Sequence, residues 1–322
     1  MYDTIELLLK KEDVIDVDLI AEIPCYLENI STIQNNYGML VSGWLGGLKI
    51  SITENYVKVS GGSFCKWYLG SNMLTMGRGD TERAIIKLSD ILHLPMTKAV
   101  VTRIDVAENI LTRHKPIAYL NHLGALKNST RLPQQSGLYY IYKNGLLCFY
   151  DKVREQKTRH NEVPELFKDK NVLRYELRLL KKIPKQMNVP KVNAGMLYDE
   201  KFYMTLLRLW RDSFLDIEKI NDVSLNFQAM RTKRDLYKMG VRALIQQVGG
   251  LNQINEQINE ALNTGQLTNK QAFDLRKEIK EANALQSDVV VKNEMIEELT
   301  KKVKDAVKFY RCLLYTSDAA DE

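Results

Sequence analysis

Apolar and polar residues change their spacing several times along this 322-residue chain. From Gly38 to Ser71, "GMLVSGWLGGLKISITENYVKVSGGSFCKWYLGS", they alternate around glycine and Glu-Asn punctuation, and a period of two predicts antiparallel hairpins. "GDTERAIIKLSDILHLP" then opens on Asp80, carries Glu82 early and stops before Pro95; Ala84, Ile85, Leu88, Ile91 and Leu92 share one face of the helix predicted there. Alternation returns in "KAVVTRIDVAEN", and a second, shorter helix is predicted at "PIAYLNHLGAL". "GLYYIYKNGLLCFYDK" reads as a hairpin, with Asn144-Gly145 supplying the two positive-φ positions of a type I′ turn. One more strand is predicted at "NVLRYELRLLKKI", and from about Leu197 the chain is helical and increasingly charged. The expected fold class is α+β: a central antiparallel sheet with flanking helices, followed by a helical C-terminal region. The expected division is an α+β catalytic domain over 1–195 and a helical domain over 196–311.

Composition narrows the class. With 45% hydrophobic residues the chain can bury a substantial core. No run of about 18 uncharged apolar residues occurs, and the N-terminal stretch MYDTIELLLKKEDVIDVD carries acids, so neither a membrane span nor a signal peptide fits and a cytoplasmic location is expected. Cys25, Cys65, Cys148 and Cys312 are scattered without a CxxC, as a reducing compartment allows. The stretch CLLYTSDAADE, Cys312 to Glu322, resembles the translated adapter of transposase-based sequencing libraries and is read as non-native. It holds three acids and no Lys or Arg, so setting it aside moves the formal charge from +6 to +9. Such a surplus favours an anionic partner without proving one. The basic stretches "RTKRDLYK" and "KKVKDAVK" read as exposed helix faces, the first also able to contact phosphates.

The period of two also places side chains. Arg103 and Asp105 share one strand face; Arg174, Glu176 and Arg178 share another, opposite Leu173, Tyr175, Leu177 and Leu179. Tyr150 and Lys152 are expected to point the same way at the end of the hairpin. If these strands are neighbours, two carboxylates, a tyrosine, a lysine and up to three arginines converge. Paired carboxylates hold a hard cation such as Mg²⁺ or Mn²⁺, which polarises a phosphoryl oxygen. A tyrosine is a poor nucleophile unless a cation favours its phenolate, and Lys152 is placed for that. The arginines Arg103, Arg174 and Arg178 suit DNA phosphates. Asp105 and Glu176 as plain cross-strand ion-pair partners of these arginines is the competing reading.

"TRIDV", Tyr150-x-Lys152-x-x-Glu155 in "FYDKVRE", and "LRYELRL" followed by "KKIPKQMNVP" resemble, in that order, motifs of the gene II replication initiators of filamentous phages, relatives of plasmid rolling-circle Rep proteins. The resemblance implies a Rep nickase-like fold and makes Tyr150 the nicking tyrosine, with Lys152 and Glu155 in its motif and Asp105 and Glu176 as metal-ligand candidates. It implies cleavage of one origin strand, a 5′-phosphotyrosine link, a free 3′-hydroxyl primer, and later rejoining of the displaced strand. Double- and single-stranded origin DNA is then the partner, in the cytoplasm of a bacterial host; host replication proteins and a homodimer stay open. A relaxase acting at a transfer origin and a non-catalytic origin-binding regulator of the same fold remain alternatives. The His-hydrophobe-His pair of many rolling-circle nickases is missing, for His93, His114, His122 and His160 are all isolated. The third metal ligand is therefore open among Glu155, water and, against strand alternation, Glu108. The second attack needed for rejoining is equally open among the 3′-hydroxyl created by nicking, a second protomer and a nearby tyrosine such as Tyr142.

Overall fold

A computed structural model of the chain describes residues 1–36, 38–220, 222–223, 232–284, 290–291 and 293–317. Ten strands make one sheet: β1 (Tyr2–Lys10), β2 (Glu28–Asn35), β3 (Gly38–Leu45), β4 (Leu48–Ile52), β5 (Tyr56–Ser60), β6 (Val100–Thr112), β7 (Thr130–Gln134), β8 (Gly137–Tyr142), β9 (Gly145–Asp151) and β10 (Asn171–Leu179). Their order is β2-β3-β4-β5-β1-β6-β10-β9-β8-β7, and every pairing is antiparallel. The helices before residue 195 are α1 (Leu19–Glu22), α2 (Phe64–Leu69), α3 (Arg78–Leu92), α4 (Pro116–Leu120), α5 (Lys152–Thr158) and α6 (Ile183–Gln186). Those after it are α7 (Glu200–Leu215), α8 (Lys233–Val248), α9 (Leu251–Asn263), α10 (Asn269–Ala284) and α11 (Glu294–Ser317). The α+β architecture with a helical C-terminal region is thus as expected.

Two local expectations change. Residues 64–69, read with the preceding hairpins, form helix α2, because the Ser63 side chain accepts from the Lys66 N–H and caps it. The β8–β9 loop is Lys143-Asn144, since Tyr142 pairs with Gly145, and neither Asn144 nor Gly145 has positive φ. Gly145 is glycine for another reason: a Cβ there would stand 2.1 Å from the Arg178 carbonyl oxygen. A strand that the pattern does not single out, β1, lies in the middle of the sheet between β5 and β6; the bulge at Asp3 and the run Leu7-Leu8-Leu9 break its alternation.

One face of the sheet is an aromatic core. Phe149 stacks on Tyr175 at 4.5 Å, Tyr175 meets Trp210 of α7 at 4.8 Å, and the Tyr175 hydroxyl donates to the Trp210 carbonyl at 2.8 Å. Trp210 and Phe214 of α7 and Leu299 and Val303 of α11 belong to the same buried cluster as the sheet's Ile104, Leu177 and Leu147. A second, smaller cluster, Ile245, Ile254, Ile258, Ala272 and Ile279, holds α8, α9 and α10 together. No helix among the described residues is long and apolar enough to cross a membrane. The adapter-like segment enters the end of α11 as far as residue 317, and residues 318–322 lie outside the described part, as does Arg231 of the first basic stretch.

Candidate active site

The other face of the sheet carries the charges. Register puts Arg178 of β10 opposite Asp105 of β6, Glu176 opposite Cys148 of β9, and Arg174 between Asn109 of β6 and Tyr150 of β9. The expected convergence of Asp105, Glu176, Tyr150 and three arginines therefore occurs on one surface. Lys152 does not sit there as a strand residue. Asp151 ends β9, its side chain accepts from the Arg154 N–H, and Lys152 becomes the first residue of α5. A helix start turns the Lys152 side chain inward: it is fully buried, ion-paired to Glu155 at 2.9 Å, with its ammonium 5.9 Å from the Tyr150 ring centre.

Glu176 is the hub. One oxygen accepts from the Tyr150 hydroxyl at 2.6 Å and from Arg174 Nε at 2.6 Å; the other accepts from Arg178 Nε at 2.8 Å and Nη2 at 2.5 Å. Burial pushes the Glu176 carboxyl up, but Arg174, Arg178 and the Tyr150 hydrogen bond outweigh it and hold it well below the usual carboxylate range. Asp105 is held by Arg103 at 2.9 and 2.6 Å, with Arg178 Nε 3.7 Å away. There burial wins, and despite the arginines the carboxyl rises to about 6. The difference follows from geometry, since Glu176 receives two guanidinium groups and a phenol where Asp105 has one close partner.

Arg174 is enclosed. Besides Glu176 it reaches Asp3 at 3.0 Å, the Asn109 side-chain oxygen at 2.9 Å and the Asn72 carbonyl at 2.9 Å. Asp3 faces it because a bulge between Tyr2 and Thr4 shifts the β1–β6 register. The segment after α2 and the Gln156 side chain, which donates to Asn72 at 3.3 Å, cover this end. The Arg178 end is open. A cavity of about 200 Å³ there is lined by Tyr139, Tyr150, Glu155 and the arginines Arg154, Arg159 and Arg178. Tyr150 therefore stands at the border between the covered network and the cavity. Burial pushes its phenol well above the ordinary value, Arg174 opposes this, and Glu176 adds to the rise.

Asp3, Asn72, Asn109, Tyr139, Arg154 and Arg159 are site residues that alternation did not single out. Asn109 follows the face of Asp105 and carried a legible signal; Asp3 and Asn72 come from a bulge and a loop, where periodicity is silent. Glu108 lies off this face, as alternation predicts, and accepts from Tyr310 at 2.9 Å.

The carboxylates do not at present fit a cation. Both oxygens of Glu176 and both of Asp105 are engaged by arginine or tyrosine, and among the described residues no three His, Cys, Asp or Glu side chains cluster as a metal site would need. What the arrangement offers directly is a tyrosine hydroxyl on a carboxylate acceptor, beside a cavity with three guanidinium groups for phosphate oxygens. No curated protein matches the chain. The family model for the N-terminal part of the phage replication-associated gene II protein matches residues 1–201, which include all ten strands and every residue of this site, so the chain belongs to that family, the filamentous-phage gene II-type replication initiators.

Proposed function

We propose that the protein starts rolling-circle replication by nicking one origin strand with Tyr150. The observation that carries this is the Tyr150 hydroxyl, fixed on Glu176 at the rim of a cavity lined by Arg154, Arg159 and Arg178. The Tyr150 oxygen bonds to the scissile phosphorus, the bond to the 3′-oxygen breaks, and the freed 3′-hydroxyl primes synthesis. Arg154, Arg159 and Arg178 receive the charge of the phosphate oxygens. Glu176 accepts the phenolic hydrogen bond and so aims the oxygen; two arginines keep it a weak base, so its part is orientation more than proton removal. Arg174 is the cation that favours the phenolate, while Lys152, beside the ring, is held by Glu155.

The test is incubation with Mg²⁺ or Mn²⁺ and supercoiled DNA carrying the origin of the encoding element, then denaturing electrophoresis. A covalent protein–DNA adduct is expected, absent in Tyr150→Phe. Cleavage unchanged by EDTA would remove the divalent cation from the reaction. Tight binding without adduct or relaxation would make the protein a non-catalytic origin binder, the role its arginine-bound carboxylates would suit.

A further inference from the structure

We propose that Tyr139 is a second nucleophile of the same site, acting on the origin when it is regenerated after a round of synthesis. This rests on the reading of Tyr150 as the first nucleophile. While Tyr150 carries the 5′-phosphate its oxygen is esterified, so releasing the displaced strand as a circle requires another attacking group. Tyr142, the example from the sequence, is on the wrong side: it shares the face of Tyr140, which is fully buried and donates to the Gly124 carbonyl at 2.7 Å, and it packs against the hydrophobic core.

Tyr139 points the other way. It pairs with Cys148, while Gly137, two residues before it, pairs with Tyr150. Gly137 has no side chain to separate the two tyrosines, and a Cβ built there would lie 3.3 Å from the Tyr139 ring and 3.3 Å from the Tyr150 Cβ. Both tyrosines line the cavity of about 200 Å³ with the three arginines, so one phosphate-binding surface serves both. Tyr140 and Tyr175 spend their hydroxyls on core carbonyls. Tyr139 makes no hydrogen bond to a described residue. Burial and then Cys148 push its phenol up, with Arg178 and Arg159 opposing them.

The chemistry balances without another reagent. Tyr139 Oη bonds to the phosphorus of the regenerated junction, the bond to the 3′-oxygen breaks, and the phenolic proton reaches that oxygen through solvent. The new 3′-hydroxyl attacks the phosphorus held by Tyr150, that phosphotyrosine bond breaks, and Tyr150 regains a proton. A closed circle leaves, and Tyr139 holds the next 5′-phosphate.

Trypsin separates the two sites, since cleavage after Arg131, Lys143 and Lys152 puts Tyr139 in residues 132–143 and Tyr150 in 144–152. The full chain is incubated with DNA bearing two origin copies on one strand, and its digest is read by fragmentation mass spectrometry beside the yield of excised circle. Nucleotide on both Tyr150 and Tyr139 is expected, with circle yield falling at least tenfold in Tyr139→Phe and holding at wild type in Tyr142→Phe. Nucleotide on Tyr150 alone, with wild-type circle yield in Tyr139→Phe, overturns the inference and leaves the first nucleophile standing. Nucleotide on neither peptide overturns the Tyr150 reading itself. The wild-type digest decides even if the substitution harms folding.

Discussion

Arg174 and Arg178 stand four residues apart on β10 and share Glu176 between them, yet their surroundings separate them. Arg174 is almost wholly buried, its guanidinium divided among Glu176, Asp3, Asn109 and the Asn72 carbonyl. Removing it leaves two buried carboxylates short of a partner, a change that costs about 3–5 kcal/mol. Arg174→Ala should therefore lower the denaturant midpoint well before any DNA is added; an unmoved midpoint would return Arg174 to the role of phosphate ligand. Arg159 is exposed, and its ion pair with Glu155 lies at the surface. Arg159→Ala should leave stability within about 0.5 kcal/mol while weakening DNA binding, measurable by a fluorescence titration. Strand alternation shows in advance that Arg174, Glu176 and Arg178 share a face, because a period of two is local. It cannot show which arginine is covered, for the cover comes from Asn72 and α5, far away in sequence. Nor does it see Lys152 leave the strand; the only local sign is Asp151, a capping residue followed by charges without alternation.

Elements were legible where their pattern was self-contained. Helix α3 lies where Ala84, Ile85, Leu88 and Leu92 fall on one face, and all four are buried, while Ile91 is only partly so. The strands β1, β2 and β7 escaped the pattern; β1 has a bulge at Asp3 and three leucines in a row, and β7 is largely exposed with a proline inside. Helix α11 gives a prediction at this scale. Its Glu298 accepts from the Tyr119 hydroxyl of α4 at 2.5 Å and pairs with Lys302 at 2.7 Å. Burial pushes the Glu298 carboxyl up, but Lys302 and Tyr119 outweigh it and hold it below its ordinary 4.5. The folded chain thus binds this proton more weakly than the unfolded one. The stabilisation is complete above the ordinary value and fades as pH falls through the depressed one. Urea midpoints measured at about pH 6 and about pH 3.5 should fall less in Glu298→Gln than in wild type. Equal falls would mean that this contact does not anchor α11.

At the scale of the whole molecule, part of the positive charge gathers in one groove. A groove of about 470 Å³ between α7 and α11 is lined by Arg208, Arg211, Lys304, Lys308 and Arg311, with Glu200 as its acid. Arg211 and Lys308 are paired with Asp212 and Asp305, whereas Arg208 and Lys304 pair with no described residue. Lys304→Ala should lower duplex affinity and reduce the slope of log affinity against log salt by about 1 if Lys304 meets a phosphate. An unchanged slope would place the duplex elsewhere. Composition carried the sign of this charge but not its site, because the groove joins helices about ninety residues apart in the chain.

Tyr150 and Phe149 are neighbours on one strand with their side chains on opposite sides of the sheet. Phe149 is parallel to Tyr175 within 2°, and Tyr175 is wedged against Trp210. The Tyr150 hydroxyl, the nucleophile proposed above, is therefore tied through its strand to that stack of rings, and β9 cannot swing it outward without unstacking them. On the proposed reaction the protein is thus the anvil, and the bending falls to the DNA.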